Sequence, residues 1–191
     1  MLLRGVGASA IQAQRVHGER ADMEAGMAFS LRDSLHLVSE PRNLDASVEE
    51  VFRMMLGEGP ERVDGESVVP VGRESESVTA VVGFGGVLSG ACVFRSSAAL
   101  AVKIAAQMTG MDIRCMDDTV KDAIGEICNM LAGAWKGKVP GLSANCGLSV
   151  PAVISGRDYS LHVQSPEFQL EHIYRYHGGS FAVTIVCDNL L

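Results

Sequence analysis

The sequence predicts an α+β domain, and three observations carry that expectation. Short runs rich in β-branched and aromatic residues stand on both sides of a helical block instead of alternating regularly with helices. Glycine pairs at Gly85-Gly86 and Gly178-Gly179 separate apolar runs, as hairpin turns do. Hydrophobic residues make up 47% of 191 residues, enough for one packed core. Aromatics are only 5%, so that core must rest mainly on Val, Ile, Leu, Ala and Met.

Met1 to about Glu40 has weak periodicity and reads as a poorly ordered extension over residues 1–42, with the folded domain at 43–191. From Leu44 onward, Val48, Val51, Phe52, Met55 and Leu56 recur at helical spacing. Asp45 or Ser47 is the expected cap, and Gly57 with Gly59-Pro60 the stop. Val68 to Val71 suits a short strand. Val78 to Phe84 and Val87 to Phe94 suit a hairpin pair. Ser96-Ser97 starts a second helix reaching about Met108, ended by Gly110. Asp117-Asp118-Thr119 opens a third, running to about Lys138 before Pro140-Gly141. Four strand-like runs close the chain: Leu148 to Ile154, Tyr159 to Gln164, Phe168 to Tyr176 and Phe181 to Cys187.

Charge narrows the function classes. The formal net charge is -7, and Glu40 to Ser77 alone carries ten acids against four bases. Such a chain repels phosphate backbones, which argues against nucleic-acid binding. The longest uncharged apolar stretch, Val81 to Phe94, is 14 residues with four glycines, short of the ~20 a membrane helix needs. No apolar block follows the first residues, which argues against a secretory signal. The five cysteines form no C-x-x-C pair and have mostly apolar neighbours, as reduced core cysteines of a cytoplasmic protein would.

Several motifs carry no chemistry. Gly83-Phe-Gly85-Gly86 lacks the Lys-Ser/Thr of a phosphate loop and does not open a helix. His162, His172 and His177 match no metal-ligand spacing, and no metal site is expected on this chain.

The informative segment runs from Asp118 to Lys136. At roughly 100° per residue, Asp122, Glu126, Asn129, Gly133 and Lys136 fall on one stripe, with Gly125 at its margin. Val120, Ile124, Ile127, Cys128, Leu131, Ala132 and Trp135 fall opposite, as an anchoring face. Thr119 and Asp122 resemble a capping box. On spacing alone, acids and an amide on an outer face usually mean solubility. Two features differ from that pattern. Asn is a middling helix former in mid-helix, and each glycine costs up to ~1 kcal/mol against Ala. Glycines beside polar groups leave room for another molecule to approach.

Asp122-x-x-x-Glu126-x-x-Asn129 followed by Gly133 resembles the signature helix of the CheC/CheX/FliY chemotaxis phosphatases. The run from Asp122 to Gly133 looks particularly CheX-like, and the resemblance extends over about Leu44 to Asp188. It implies a mixed or antiparallel sheet with long helices packed on one face. It implies a single site, since the opening helix has Glu49 and Glu50 but no matching Asn. The implied substrate is the aspartyl phosphate of a CheY-like response regulator, whose own pocket holds Mg2+. By the same resemblance, Asn129 positions the attacking water and Glu126 engages the regulator's phosphate-binding lysine. Asp122, Gly125, Gly133 and Lys136 are supporting or partner-binding residues. A homodimer is implied, built through strand edges or exchanged strands. The competing class is a non-catalytic dimeric adaptor that binds a regulator or a flagellar switch component. The switch protein FliM has a similar fold without phosphatase activity.

Overall fold

The computed structural model describes residues 37–63, 76–162 and 166–190. Within these, seven strands form one sheet in which every pairing is antiparallel. They are β1 (Glu61–Val63), β2 (Ser77–Gly86), β3 (Leu88–Ser97), β4 (Cys146–Leu148), β5 (Ala152–Gly156), β6 (Phe168–Tyr176) and β7 (Gly179–Leu190). The order is β1-β6-β7-β3-β2, with β4 and β5 both pairing with the far side of β2. Three longer helices, α1 (Pro41–Leu56), α2 (Ala98–Thr109) and α3 (Asp118–Lys138), and the one-turn α4 (Leu142–Asn145) complete the α+β fold.

Side-chain alternation explains why the helices take one face. Across the register, Ala80 stands opposite Phe94, Phe94 opposite Val183, and Val183 opposite His172, and all four are buried. The helices pack on this face. The other face carries Thr79, Arg95, Thr184 and Glu171, with the Thr184 hydroxyl donating to Glu171 at 2.9 Å. The few aromatics are concentrated where α1 meets the sheet. Phe181 stacks on Phe52 at 4.7 Å, on Phe94 at 5.1 Å and on Tyr174 at 5.2 Å. Cys92, Cys128, Cys146 and Cys187 are buried and free, while Cys115 is exposed.

The hairpin β2–β3 and the two later strands β6 and β7 stand where the sequence places them. The closing turn is His177-Gly178, both with positive φ (46° and 75°), one residue earlier than the glycine pair suggests. This mirror-image geometry matches strand twist. Ser97 caps α2 by accepting from the Leu100 amide at 3.2 Å, and Gly110 ends it in the left-handed region.

Other elements differ. Helix α1 starts at Pro41 with Glu40 as its cap, so Asp45 and Ser47 lie inside it. Proline at the first helical position has its φ preset and lacks only a donor that would be orphaned there anyway. Ser47 instead donates to the Asn43 carbonyl at 2.7 Å. Helix α3 is capped by Asp117, which accepts from the Val120 amide at 2.9 Å, not by a Thr119–Asp122 box. Once Asp118 is helical, Asp117 is the residue whose carboxylate reaches the third amide. The run Leu148 to Ile154 is broken at 149–151, leaving β4 and β5 apart. Tyr159 to His162 is not strand. Asp158 turns the chain with a φ of 53°, and the Tyr159 hydroxyl meets that of Thr79 at 2.9 Å. The strand expected at Val68 to Val71 lies outside the described residues, as does most of the N-terminal extension.

Asp45 has a different task from the expected cap. Its carboxylate accepts from the Tyr174 hydroxyl and pairs with His172 Nδ1, each at 2.8 Å, and also with Arg62. Burial pushes this carboxyl up, but the hydrogen bonds from Tyr174 and His172 and the nearby charges outweigh it, so its pKa falls below 3.8. His172 and Tyr174 are 5% and 2% exposed and would be left without this partner in Asp45→Ala. That variant is expected to lose about 1–3 kcal/mol near neutral pH. A carboxyl depressed in the folded state stabilises above its unfolded value and loses that contribution as pH falls through the folded one. The gap between wild type and variant in urea midpoints should therefore shrink below about pH 4. A gap independent of pH would contradict this role for Asp45.

Candidate functional site

Helix α3 carries the candidate site, and its two faces differ. Val120, Ile124, Ile127, Cys128, Leu131, Ala132 and Trp135 are each 0% exposed, which fixes its rotation about its own axis. Trp135 packs on Phe84 at 5.2 Å, and Cys128 Sγ lies 3.5 Å from the carbonyl oxygens of Ala80 and Cys92. Rotation and depth being set, Asp122 and Glu126 emerge as exposed and Asn129 as half-buried.

Neither the Glu126 nor the Asn129 side chain has a hydrogen-bond or ion-pair partner among the described residues. A mid-helix Asn commonly bonds back to its own helix or a neighbour. Here the amide, one turn from a free carboxylate, keeps its donors and acceptor available. Upstream, Lys121 pairs with Asp118 at 2.9 Å, and its hydrogen bond and charge hold the Asp118 carboxyl below the usual range.

The supporting residues divide. Gly133 is half-buried, and a Cβ there would meet only Leu148 Cδ1, at 4.0 Å. Gly125 is buried instead of open to a partner: a Cβ would lie 3.3 Å from Pro151 Cβ and 3.3 Å from Val153 Cγ2. Its small size serves contact within this chain, between α3 and the β4–β5 edge. Lys136 is likewise committed within the chain, donating to the Cys146 carbonyl at 2.7 Å. The segment 146–153 thus forms a wall beside the polar stripe. The sequence reading missed this wall because it treated Leu148 to Ile154 as continuous strand. Pro151, which cannot donate to a ladder, is the signal that marks the break.

A cavity of about 260 Å³ lies on the outer sheet face, among Arg95, His162, Glu171 and Thr184. No group of three or more metal-ligating side chains occurs among the described residues. Nor is any helix there long and apolar enough to cross a membrane. An exposed acid and a half-buried amide on one helix face do not by themselves enclose a small substrate, but they can meet a cleft in another protein.

The profile of the family described as chemotaxis phosphatase CheX matches residues 78–171, from β2 through α3 into β6. A curated relative, the CheY-P phosphatase CheX of Thermotoga maritima, is 32% identical over 119 residues, covering 62% of this chain and 76% of the relative. The chain belongs to the CheX family.

Solved structures agree on the CheX fold. The Borrelia burgdorferi complex of CheX with CheY, BeF3 and Mg2+ matches with a TM-score of 0.65 at 20% identity, over 78% of this chain and 97% of the matched one. CheX from Desulfovibrio desulfuricans matches with a TM-score of 0.61 at 24% identity, over 78% and 98%. The resemblance read from the α3 motif and its expected sheet-and-helix architecture is therefore borne out.

Proposed function

We propose that this CheX-family chain hydrolyses the aspartyl phosphate of a CheY-like response regulator, with Asn129 positioning the attacking water and Glu126 fixing the docking. The observation that carries the reading is the pair of side chains, Glu126 and Asn129, without partners among the described residues and one turn apart on a firmly anchored helix face. The Thermotoga relative's name as a CheY-P phosphatase supports the substrate class. The Borrelia complex supports docking on CheY, with Mg2+ belonging to the regulator's site.

Phosphoryl transfer needs placement and charge stabilisation more than a strong base. The Asn129 carboxamide is uncharged, so it enters an anionic pocket without repelling the phosphoryl oxygens. Its oxygen can accept a hydrogen from water and hold that water in line with phosphorus. Water oxygen bonds to phosphorus as the bond from phosphorus to the aspartyl oxygen breaks, giving inorganic phosphate and a free carboxylate. Glu126 pairs with the regulator's phosphate-binding lysine. That contact trades a hydrated charge pair for one partly shielded from water, where attraction is stronger. Asp122, exposed on the same stripe, makes a rim contact, and Gly133 leaves the regulator's loops room to approach. The catalytic unit is the domain expected at 43–191, extended back to α1, which begins at Pro41, with the residues before that helix as an extension. It works in the cytoplasm as a homodimer joined through strand edges or exchanged strands.

The test is phosphate loss from radiolabelled phospho-regulators of the same genome, with Mg2+ and with or without this chain. Acceleration for one regulator supports the reading. No acceleration for any of them moves the chain to the adaptor class. Glu126→Ala is expected to raise KM and lower kcat together, reducing kcat/KM by about tenfold to a hundredfold, as for loss of a buried charge pair. Unchanged kinetics would refute the docking role of Glu126.

A further inference from the structure

The most exposed large hydrophobic side chain among the described residues is Val150, at 86%. It sits in the break between β4 and β5, and that break is rigidly built. The Ser149 amide donates to the Gly83 carbonyl at 2.9 Å, and the Gly83 amide donates back to Ser149 Oγ at 2.9 Å. Ser149 Oγ also donates to the Val150 carbonyl at 2.9 Å. On the other side, Pro151 seats closely on Gly125, where a Cβ would stand 3.3 Å from Pro151 Cβ. An apolar side chain held out to water by a braced turn gains nothing for the fold by being there.

Its position gives the occupant. The wall runs antiparallel to α3: Lys136 holds Cys146, Gly133 lies by Leu148, and Gly125 lies by Pro151. Val150 therefore falls between the levels of Gly133 and Gly125, which is the level of Asn129. Of the three α3 residues that touch the wall, Gly125 and Lys136 project on the Asn129 side of the stripe and Gly133 near its middle, which sets the Val150 turn toward the Asn129 side. A regulator whose pocket receives Asn129 must also meet this turn.

We propose that Val150, braced by Ser149 and by the Pro151–Gly125 contact, is an apolar docking shoulder for the phosphorylated response regulator. It seats on apolar surface at the rim of the phosphorylation pocket and adds affinity without touching the reacting atoms. This rests on the phosphatase reading and deepens it. Apolar anchors beside a polar centre are where interface energy concentrates. Bracing such an anchor in advance lowers the ordering cost of docking.

The test is steady-state hydrolysis of the phospho-regulator by the full chain, comparing wild type, Val150→Ala and Val150→Asp. Val150→Asp is expected to raise KM by about tenfold or more while kcat falls less than about threefold, and Val150→Ala should lie between. Trp135 emission verifies that each variant is folded. Affinity for the BeF3-loaded regulator, measured in the catalytically silenced Asn129→Ala background, should fall by the same factor. An unchanged KM and affinity in Val150→Asp, with wild type active, overturns the shoulder and leaves the phosphatase reading standing. A variant that changes sedimentation without changing KM assigns Val150 to a contact between copies of this chain, which also overturns it. An inactive wild type overturns the phosphatase reading instead. If the BeF3-loaded regulator then still binds with Val150-dependent affinity, the shoulder survives as an adaptor contact. If it does not, the shoulder falls as well.

Discussion

Asn129→Ala is expected to lower kcat for phospho-regulator hydrolysis by roughly 10²–10³-fold, the scale seen when one positioned hydrogen-bonding group is removed from a reacting centre. The fold should not suffer. The Asn129 side chain has no partner to lose among the described residues, and Ala is the better helix former by up to ~0.7 kcal/mol. The anchoring face of α3 is unchanged, so Glu126 still reaches its partner and affinity for the regulator should move by less than about threefold. A fall in kcat with little change in affinity means an interaction made in the transition state, which is what a water-orienting amide supplies. Single-turnover hydrolysis at saturating enzyme reads this directly. If affinity collapsed and the saturated rate stayed, Asn129 would be a docking group and water placement would lie elsewhere.

Phe181→Ala is expected to cost about 3–5 kcal/mol of folding stability. Phe181 is 1% exposed, stacks nearly parallel on Phe52 with 4° between rings, and also contacts Phe94 and Tyr174. It joins three strands to α1. Removing the ring leaves a void that flat neighbours cannot collapse into without losing their own stacking. A domain stability of 5–15 kcal/mol makes this a large fraction of the total. Urea unfolding followed by the emission of Trp135, fully buried against Phe84, measures it. A loss below about 1 kcal/mol would mean the cluster repacks and does not hold α1 on the sheet.

Local signals explain which parts were legible. Helix α3 was readable end to end because seven apolar residues at helical spacing determine its rotation, and rotation determines which polar groups face out. The β2–β3 and β6–β7 hairpins were readable because glycines mark turns between apolar runs. What escaped reading depends on contacts distant in sequence. Asp45 looks like a cap until His172 and Tyr174, more than a hundred residues on, come within 2.8 Å of it. Gly125 looks like space left for a partner until Pro151 and Val153 fill it. Lys136 looks like a free cation until the Cys146 carbonyl is brought beside it. The polar pair of the candidate site was thus visible in the α3 pattern, whereas the wall beside it required the fold.

The measurement that bears most directly on the central claim is the rate of phosphate loss from a radiolabelled phospho-regulator with Mg2+, alone, with wild type and with Asn129→Ala. The account predicts rapid loss with wild type and a rate near the regulator's own with the variant. Equal rates for wild type and Asn129→Ala would contradict the catalytic role given to the α3 stripe.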